Sequence, residues 1–428
     1  MKILSFLAAA LGVSLASHVG WGNHADSPMN LEPRVFLARD SAGWKEYRKQ
    51  FGHLRQFRNS TEEEFHARIF QDSEAMVKAQ NDKFAKGESG FHMALNEFSD
   101  MAEAEYNSRF PTLTQDDVEH MHEGSIAFDV NAVMANGDSK GRRKRDSNWK
   151  HLTPKGQCGS CYAFAVVGAI EAHIMKKYGA QYVLSEQDIV DCTIAYGNYG
   201  CGGGYRSTTF SYAVKNGVNT ESSYPYTAKV GNCRHSNDTY DSNIKVLSGF
   251  VKIPGGNETL LQAALNNIGP VTVFMNGSPR TFLMYSGGIY NDPSCVNRIS
   301  HAILAVGLMS SNGTSYYLIK NSWGTGWGEG GYFRMAAGKN LCGIASQSAY
   351  SALESSFDIP GRTRRTQKRK MAEADAAKRR EAVERGGSNE GMADDEALPA
   401  SECGDDGMEE EGPIDEFDEK TGAEALFD

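Results

Sequence analysis

The sequence predicts an α+β fold of two subdomains side by side, the first helical and the second stranded, with a cleft between them and a helical segment ahead of both. Three observations carry that expectation. YAFAVVGAIEAHIM, beginning at Tyr162, is apolar on nearly every helical face and reads as a fully buried helix. PVTVFM, HAILAVG, YYLIKN and GGYFRM lie further along the chain. They are short, rich in β-branched and aromatic residues, and separated by Gly, Asn and Ser, which is the pattern of strands. Helices followed by strands, rather than alternating with them, pack as two segregated layers. Upstream, from Trp44 to Asn81, the pattern is helical and charged.

The elements follow in order along 428 residues, more than one compact domain needs. A hydrophobic content of 40% with 10% aromatics suits a globular core, and a net charge of −10 argues against a nucleic-acid partner, whose binding surface is basic. MKILSFLAAALGVSLAS joins a lone Lys2 to an apolar run too short to span a bilayer, ending in small residues at Ser14 and Ala16. Residues 1–16 therefore read as a secretory signal peptide, and no later segment is long and apolar enough for a membrane span. Residues 17–40 lack periodicity. Glu62, His66, Phe70, Ser73, Val77 and Asn81 then fall on one helical face at spacings of 4-4-3-4-4. FHMALNEFSDM alternates apolar and polar, which suggests a short strand ending at Asp100. The stretch 111–145 is polar and ends in Arg142-Arg143-Lys144-Arg145, either a linker open to a basic-specific protease or a solvated charge run. Residues 146–352 have the composition of a dense globular domain. Residues 353–428 turn basic, then Gly-rich and acidic, as expected of a disordered or partly helical tail.

Secretion implies an oxidising compartment, and there are eight cysteines. Seven lie between Cys158 and Cys342, so at least one of them lacks a local partner and is a candidate reactive thiol. Sequons at Asn59, Asn237, Asn257, Asn276 and Asn312 fit passage through a glycosylating pathway, Asn276 least well because Pro279 follows it. Cys158 and Cys161 form a C-x-x-C, which serves as half a zinc site, a redox pair, or a nucleophile beside a structural cysteine. No second metal-ligand pair stands at a suitable distance, so neither a metal nor a cofactor is expected. A redox pair sits in a thioredoxin-like context, usually without six further cysteines. The third reading gains from the buried helix that starts at Cys161, whose N-terminal dipole favours a thiolate.

CGSCYAF, SHAILAVG and IKNSWGTGWGEGGYFRM together resemble the papain/cathepsin family of cysteine peptidases, over residues 146 to about 350. The resemblance implies a papain-like fold, its second half β-barrel-like, and a monomeric endopeptidase acting on proteins or peptides. It implies Cys161 as nucleophile, His301 as base, Asn321 as the residue orienting the imidazole, and Trp323 as their shield, with Trp327 nearby. It further implies disulfides Cys158–Cys201, Cys192–Cys233 and Cys295–Cys342, with Cys161 free and Cys403 unpaired in the tail. Gly203 and Gly204 match a glycine-rich strand that lets a peptide approach the backbone. Tyr205, Arg206, Phe274, Ile299 and Gln347 match the main specificity pocket. Arg206 and Gln347 make that pocket polar and Phe274 narrows it, so a weakened preference for large hydrophobic residues is expected. Cys192 and Cys201 stand too close together for a loop that occludes the cleft, in keeping with endopeptidase action.

The 4-4-3-4-4 face is similar to the Glu-Arg-Phe-Asn-Ile-Asn pattern of cathepsin L-like prosegments, reading Glu, His, Phe, Ser, Val, Asn here. ALNEFSD resembles the companion motif, with Ala94 in place of Gly. This implies a propeptide over residues 17–145 whose helical part, about 44–110, inhibits its own enzyme by filling the cleft until removal. Loss of carboxylate charge would suit an acid trigger, and the destination would be the lysosome or the extracellular space. One position departs from the family. Six residues before Cys161, where a Gln helps bind the oxyanion, stands Lys155; Gln157 is nearby, and Tyr162 replaces the usual Trp. Either Lys155 donates instead, or the Cys161 N–H acts alone, or the chain is a catalytically impaired homologue acting as a binding protein.

Overall fold

Apolar side chains collect into three clusters in the computed structural model, which describes residues 37–109, 125–135, 155–235 and 242–357. The signal peptide, the basic run at 142–145, Asn237, Cys403 and the tail from residue 358 lie outside the described residues.

The smallest cluster belongs to the prosegment. Helix α1 (Ala42–Phe51) is capped by Ser41, whose side chain accepts from the Trp44 N–H. Helix α2 (Ser60–Ala85) is capped by Asn59, which accepts from Thr61 and Glu62. Trp44, Tyr47, Ala67 and Phe70 pack between the two helices. The face spaced 4-4-3-4-4 grips the segment that follows it. Ser73 Oγ donates to the Ser99 carbonyl (2.6 Å), His66 Nδ1 donates to the Asp100 carbonyl (2.7 Å), and Asn81 exchanges two hydrogen bonds with the Met93 backbone. Strand β1 covers only Phe91–Met93 and stops well before Asp100, the end expected from the alternation. Asn96 accepts from the Phe98 N–H while Ser99 Oγ accepts from the Asn96 N–H, and this side-chain-closed turn ends the strand. Helix α3 (Glu103–Arg109) follows, and α4 (Val130–Ala135) comes later.

The second cluster surrounds α5 (Cys161–Tyr178), buried from Cys161 to Ile174 at all but one position and ended by Gly179 at φ 66°. Helices α6 (Glu186–Cys192) and α7 (Arg206–Asn216) complete the helical half, with a small ladder of β2 (Val218–Asn219) and β3 (Asn243–Ile244).

The third cluster lies under a sheet of β4 (Leu247–Ile253), β5 (Val271–Met275), β6 (Tyr285–Tyr290), β7 (His301–Ser311), β8 (Thr314–Lys320), β9 (Tyr332–Ala336) and β10 (Ser348–Leu353). Helix α8 (Glu258–Asn267) packs beside it, and the single turn α9 (Arg280–Leu283) precedes β6. The strand order is β1-β6-β9-β8-β7-β5-β10-β4, so the sheet is open rather than a closed barrel, and the prosegment strand β1 forms one edge by pairing antiparallel with β6. Disulfides join Cys158 to Cys201, Cys192 to Cys233, and Cys295 to Cys342. Their sequence separations of 43, 41 and 47 give, by chain entropy, roughly 4 kcal/mol each.

Candidate active site

Cys161 is the free cysteine among the described residues, buried at the first position of α5. There its N–H belongs to the group of donors that a helix leaves without an internal partner. His301 opens β7 opposite Met275 on β5, and Asn321 follows the end of β8, its N–H donating to the Gly331 carbonyl.

The hydrogen bonds fix the chemistry of the pair. His301 Nε2 and Asn321 Oδ1 are 2.9 Å apart, and the same Oδ1 accepts from the Ser322 N–H at 2.8 Å. An atom accepting from a backbone N–H is the carbonyl oxygen, so His301 Nε2 must carry a proton and Nδ1 has the free lone pair of a base. Trp323 stacks on the imidazole, ring centres 5.0 Å apart and planes 23° from parallel, and Trp327 packs edge-on against Trp323. Burial first, then the positive charge of Lys155, drive the His301 pKa down to about 3, with the Asn321 bond opposing them.

Lys155 is almost wholly buried, and its ammonium donates to the Cys158 carbonyl at 3.1 Å. Its backbone is held on both sides: its N–H donates to the Ser322 carbonyl, and its carbonyl accepts from the Tyr226 hydroxyl. Tyr226 also meets Ser160 Oγ at 2.7 Å. Gln157 is exposed and turned the other way, donating to the prosegment carbonyl of Leu54.

The prosegment covers this centre. Tyr106 of α3 is fully buried, and a Cβ built on Gly277 would lie 2.8 Å from its hydroxyl and 2.7 Å from His301 Cβ. Burial holds the Tyr106 phenol far above its ordinary pKa, and negative charge on Cys161 pushes the same way, so this ring stands beside both candidate catalytic residues. Phe98 packs on Trp323 (4.8 Å), and Arg280 of α9 donates to the Ile69 carbonyl and to Ser73 Oγ of α2. Phe98 and Ser73 belong to the two prosegment motifs in the sequence; nothing in the sequence singles out Tyr106, Tyr226 or Arg280.

The pocket residues divide. Gly203, at φ 117°, has open space where a side chain would stand, whereas a Cβ on Gly204 would meet the side chains of Asn198 at 2.7 Å and Tyr162 at 2.8 Å. Gly203 thus leaves room for a peptide, and Gly204 is required by packing within the fold. Tyr205, Arg206, Phe274 and Gln347 are buried and Ile299 half-buried. Among the sequons, Asn59 and Asn257 are exposed helix caps and Asn312 sits at an exposed hairpin tip. Asn276 is only 5% exposed, with both ends of its amide bonded.

Comparison with known proteins gives the family. Residues 138–352 match the papain family cysteine protease model, and residues 44–106 match the cathepsin propeptide inhibitor domain. The chain belongs to the papain family of cysteine proteases and is built as a zymogen. It is 36% identical to digestive cysteine proteinase 2 of Homarus americanus over 74% of this chain and 96% of that protein, and 34% identical to cathepsin L1 of Drosophila melanogaster over 70% and 82%. A digestive procathepsin L 3 from the larval midgut of Tenebrio molitor superposes with a TM-score of 0.59 at 34% identity, covering 72% of this chain and 99% of that one.

Proposed function

We propose that the processed protein is a thiol endopeptidase in which Cys161 attacks the scissile carbonyl and His301 moves the proton. His301 Nδ1 takes the proton of the Cys161 thiol. The thiolate sulfur then bonds to the carbonyl carbon, and the imidazolium returns the proton to the departing amine. A water that gives its proton to Nδ1 next cleaves the acyl-thioester, releasing the acid and restoring the thiol. Asn321 holds the imidazole in the tautomer this needs, and Trp323 keeps water from their hydrogen bond. The observation that carries the reading is the His301–Asn321 pair with its tautomer fixed by Ser322, in a domain whose one free described cysteine opens a helix.

Endopeptidase action is supported by the stretch from Cys192 to Cys201, which is taken up by short 3₁₀ turns with no loop over the cleft. The polar pocket supports a weakened preference for large hydrophobic side chains. The signal-like leader and the three disulfides support passage through the secretory pathway, ending in a lysosome or outside the cell, and no described helix is long and apolar enough to cross a membrane. A second reading, an impaired homologue that binds rather than cleaves, has its own observation: the Lys155 charge stands where an uncharged amide is usual, and it opposes protonation of His301.

The test is labelling of processed protein by a thiol-alkylating epoxide together with turnover of a fluorogenic peptide. Both signals are expected, and both should vanish in Cys161→Ala. Labelling without turnover favours the impaired homologue, and absence of both in correctly disulfide-bonded protein rejects the protease mechanism.

A further inference from the structure

Arg206 is the first residue of α7 and has no exposed surface, yet only one of its three side-chain nitrogens is satisfied. Nη2 donates to Gln347 Oε1 at 3.0 Å, while Nε and Nη1 have no hydrogen-bond partner. The guanidinium lies over the Phe274 ring, 5.5 Å from its centre. Among the described residues no carboxylate pairs with it, and the charged group that feels it is another cation, Lys252 of β4. Burial lowers its pKa to about 9, which leaves it protonated at neutral and acid pH. An unpaired buried cation is strongly unfavourable, and an apolar side chain of similar volume would fill this place without that penalty.

Its position explains what the charge is for. Tyr205, just before Arg206, follows the Gly203–Gly204 segment tied through Cys201 to Cys158. Phe274, beneath the guanidinium, pairs across β5 and β7 with Ala302, the neighbour of His301, and its N–H donates to the Gln347 carbonyl. The cation therefore stands between the open glycine segment of the helical half and the strand that carries His301.

We propose that Arg206 and Gln347 form a carboxylate-binding specificity subsite, and that this protease selects acidic peptides, with Asp or Glu at the side-chain position that enters there. The substrate carboxylate accepts charge-assisted hydrogen bonds from the unfilled guanidinium donors, and the Gln347 amide completes the cradle. Phe274 packs against the methylenes of the incoming side chain. This rests on the reading of the cleft as the substrate site.

The experiment is a positional library of fluorogenic peptides containing Glu/Gln and Asp/Asn pairs, cut by the processed protein. At one position the acid should be preferred over its amide by about tenfold or more in kcat/KM, the scale of a charge-assisted pair. Arg206→Met should abolish that ratio and raise cleavage of the Leu peptide, and Arg206→Gln, which keeps a donor without the charge, should abolish it too. Equal cleavage of acid and amide at every position, or a ratio unchanged in both variants, overturns the proposal. Should no peptide be cleaved at all, the same pairs are titrated against Cys161→Ala by fluorescence polarisation. Tighter binding of the acid there supports the subsite even though the catalytic reading has failed, and equal binding rejects the subsite.

Discussion

At the scale of single residues, Lys155 is the position that bears most directly on the proposed centre. Its ammonium is committed to the Cys158 carbonyl, and its charge acts with burial to keep His301 neutral. Proton transfer from Cys161 requires the opposite, an imidazole willing to accept. Lys155→Gln removes the charge and restores an amide donor for the oxyanion, so it should raise kcat/KM by about ten- to a hundredfold, on the scale of one oxyanion donor. It should also raise the His301 pKa, because its second depressing influence is gone, and shift the pH profile of epoxide labelling accordingly. A variant with unchanged kcat/KM and labelling profile would show that Lys155 is neutral to the chemistry. Cys161, His301 and Asn321 were legible as candidates because each stands in its own short motif. The tautomer was not, since it depends on the Ser322 N–H meeting Asn321 Oδ1 across a turn.

At the scale of elements, the prosegment reads clearly as a helix face and less clearly as a strand. The 4-4-3-4-4 spacing identifies the side of α2 that grips residues 91–100, because helical periodicity is a local property. The end of β1 was misjudged because alternation continues past Met93 while Asn96 and Ser99 bond their own backbone instead of a neighbouring strand. The same contacts bear on acid release. Burial raises the Asp100 pKa against the opposing Arg55 charge and Tyr47 bond, so the folded prosegment takes up that proton more readily than the unfolded one, and acid at Asp100 favours the folded prosegment. Glu64 has the opposite sign. Burial would raise it, but the N–H groups of Arg39 and Ala38 together with Arg68 lower it below 4.5. Its contribution is therefore present above that value and lost as pH falls through the lowered one. Zymogen carrying Glu64→Gln should begin autoprocessing at higher pH than the natural chain and depend less steeply on acid. An onset pH that does not move, followed by gel mobility across a pH series, would remove Glu64 from the trigger.

At the scale of the whole molecule, buried ionisable groups in the helical half set how stability varies with pH. Burial raises Glu171 to about 7, against Lys320 and the Leu184 N–H that its carboxylate accepts, and Glu186 and Glu221 are raised for the same first reason. A carboxyl raised in the folded state contributes stability below its unfolded value of 4.5 and loses it as pH climbs to the folded one. His173 works in reverse: burial, then Lys176, lower it to about 3, so its contribution is full above 6.5 and drains away as pH falls. Between 4.5 and 6.5 the two oppose each other, and outside that window each acts alone, which puts maximal stability inside it. Composition cannot announce this, because a buried glutamate and a solvated one look alike until the fold encloses α5. Taking about 1.4 kcal/mol per pKa unit, Glu171 alone loses about 3 kcal/mol between pH 5 and pH 7.5, and His173 regains about 2 kcal/mol up to pH 6.5, so the natural protein's melting temperature should fall by only a few degrees over that range. Glu171→Gln keeps an acceptor for the Leu184 N–H and removes the titration, so with His173 acting alone its melting temperature should rise from pH 5 to pH 7.5 and exceed the natural protein's at pH 7.5. Scanning calorimetry of both processed proteins at the two pH values decides the matter, and coincident curves would assign the alkaline loss to Glu186 and Glu221 instead.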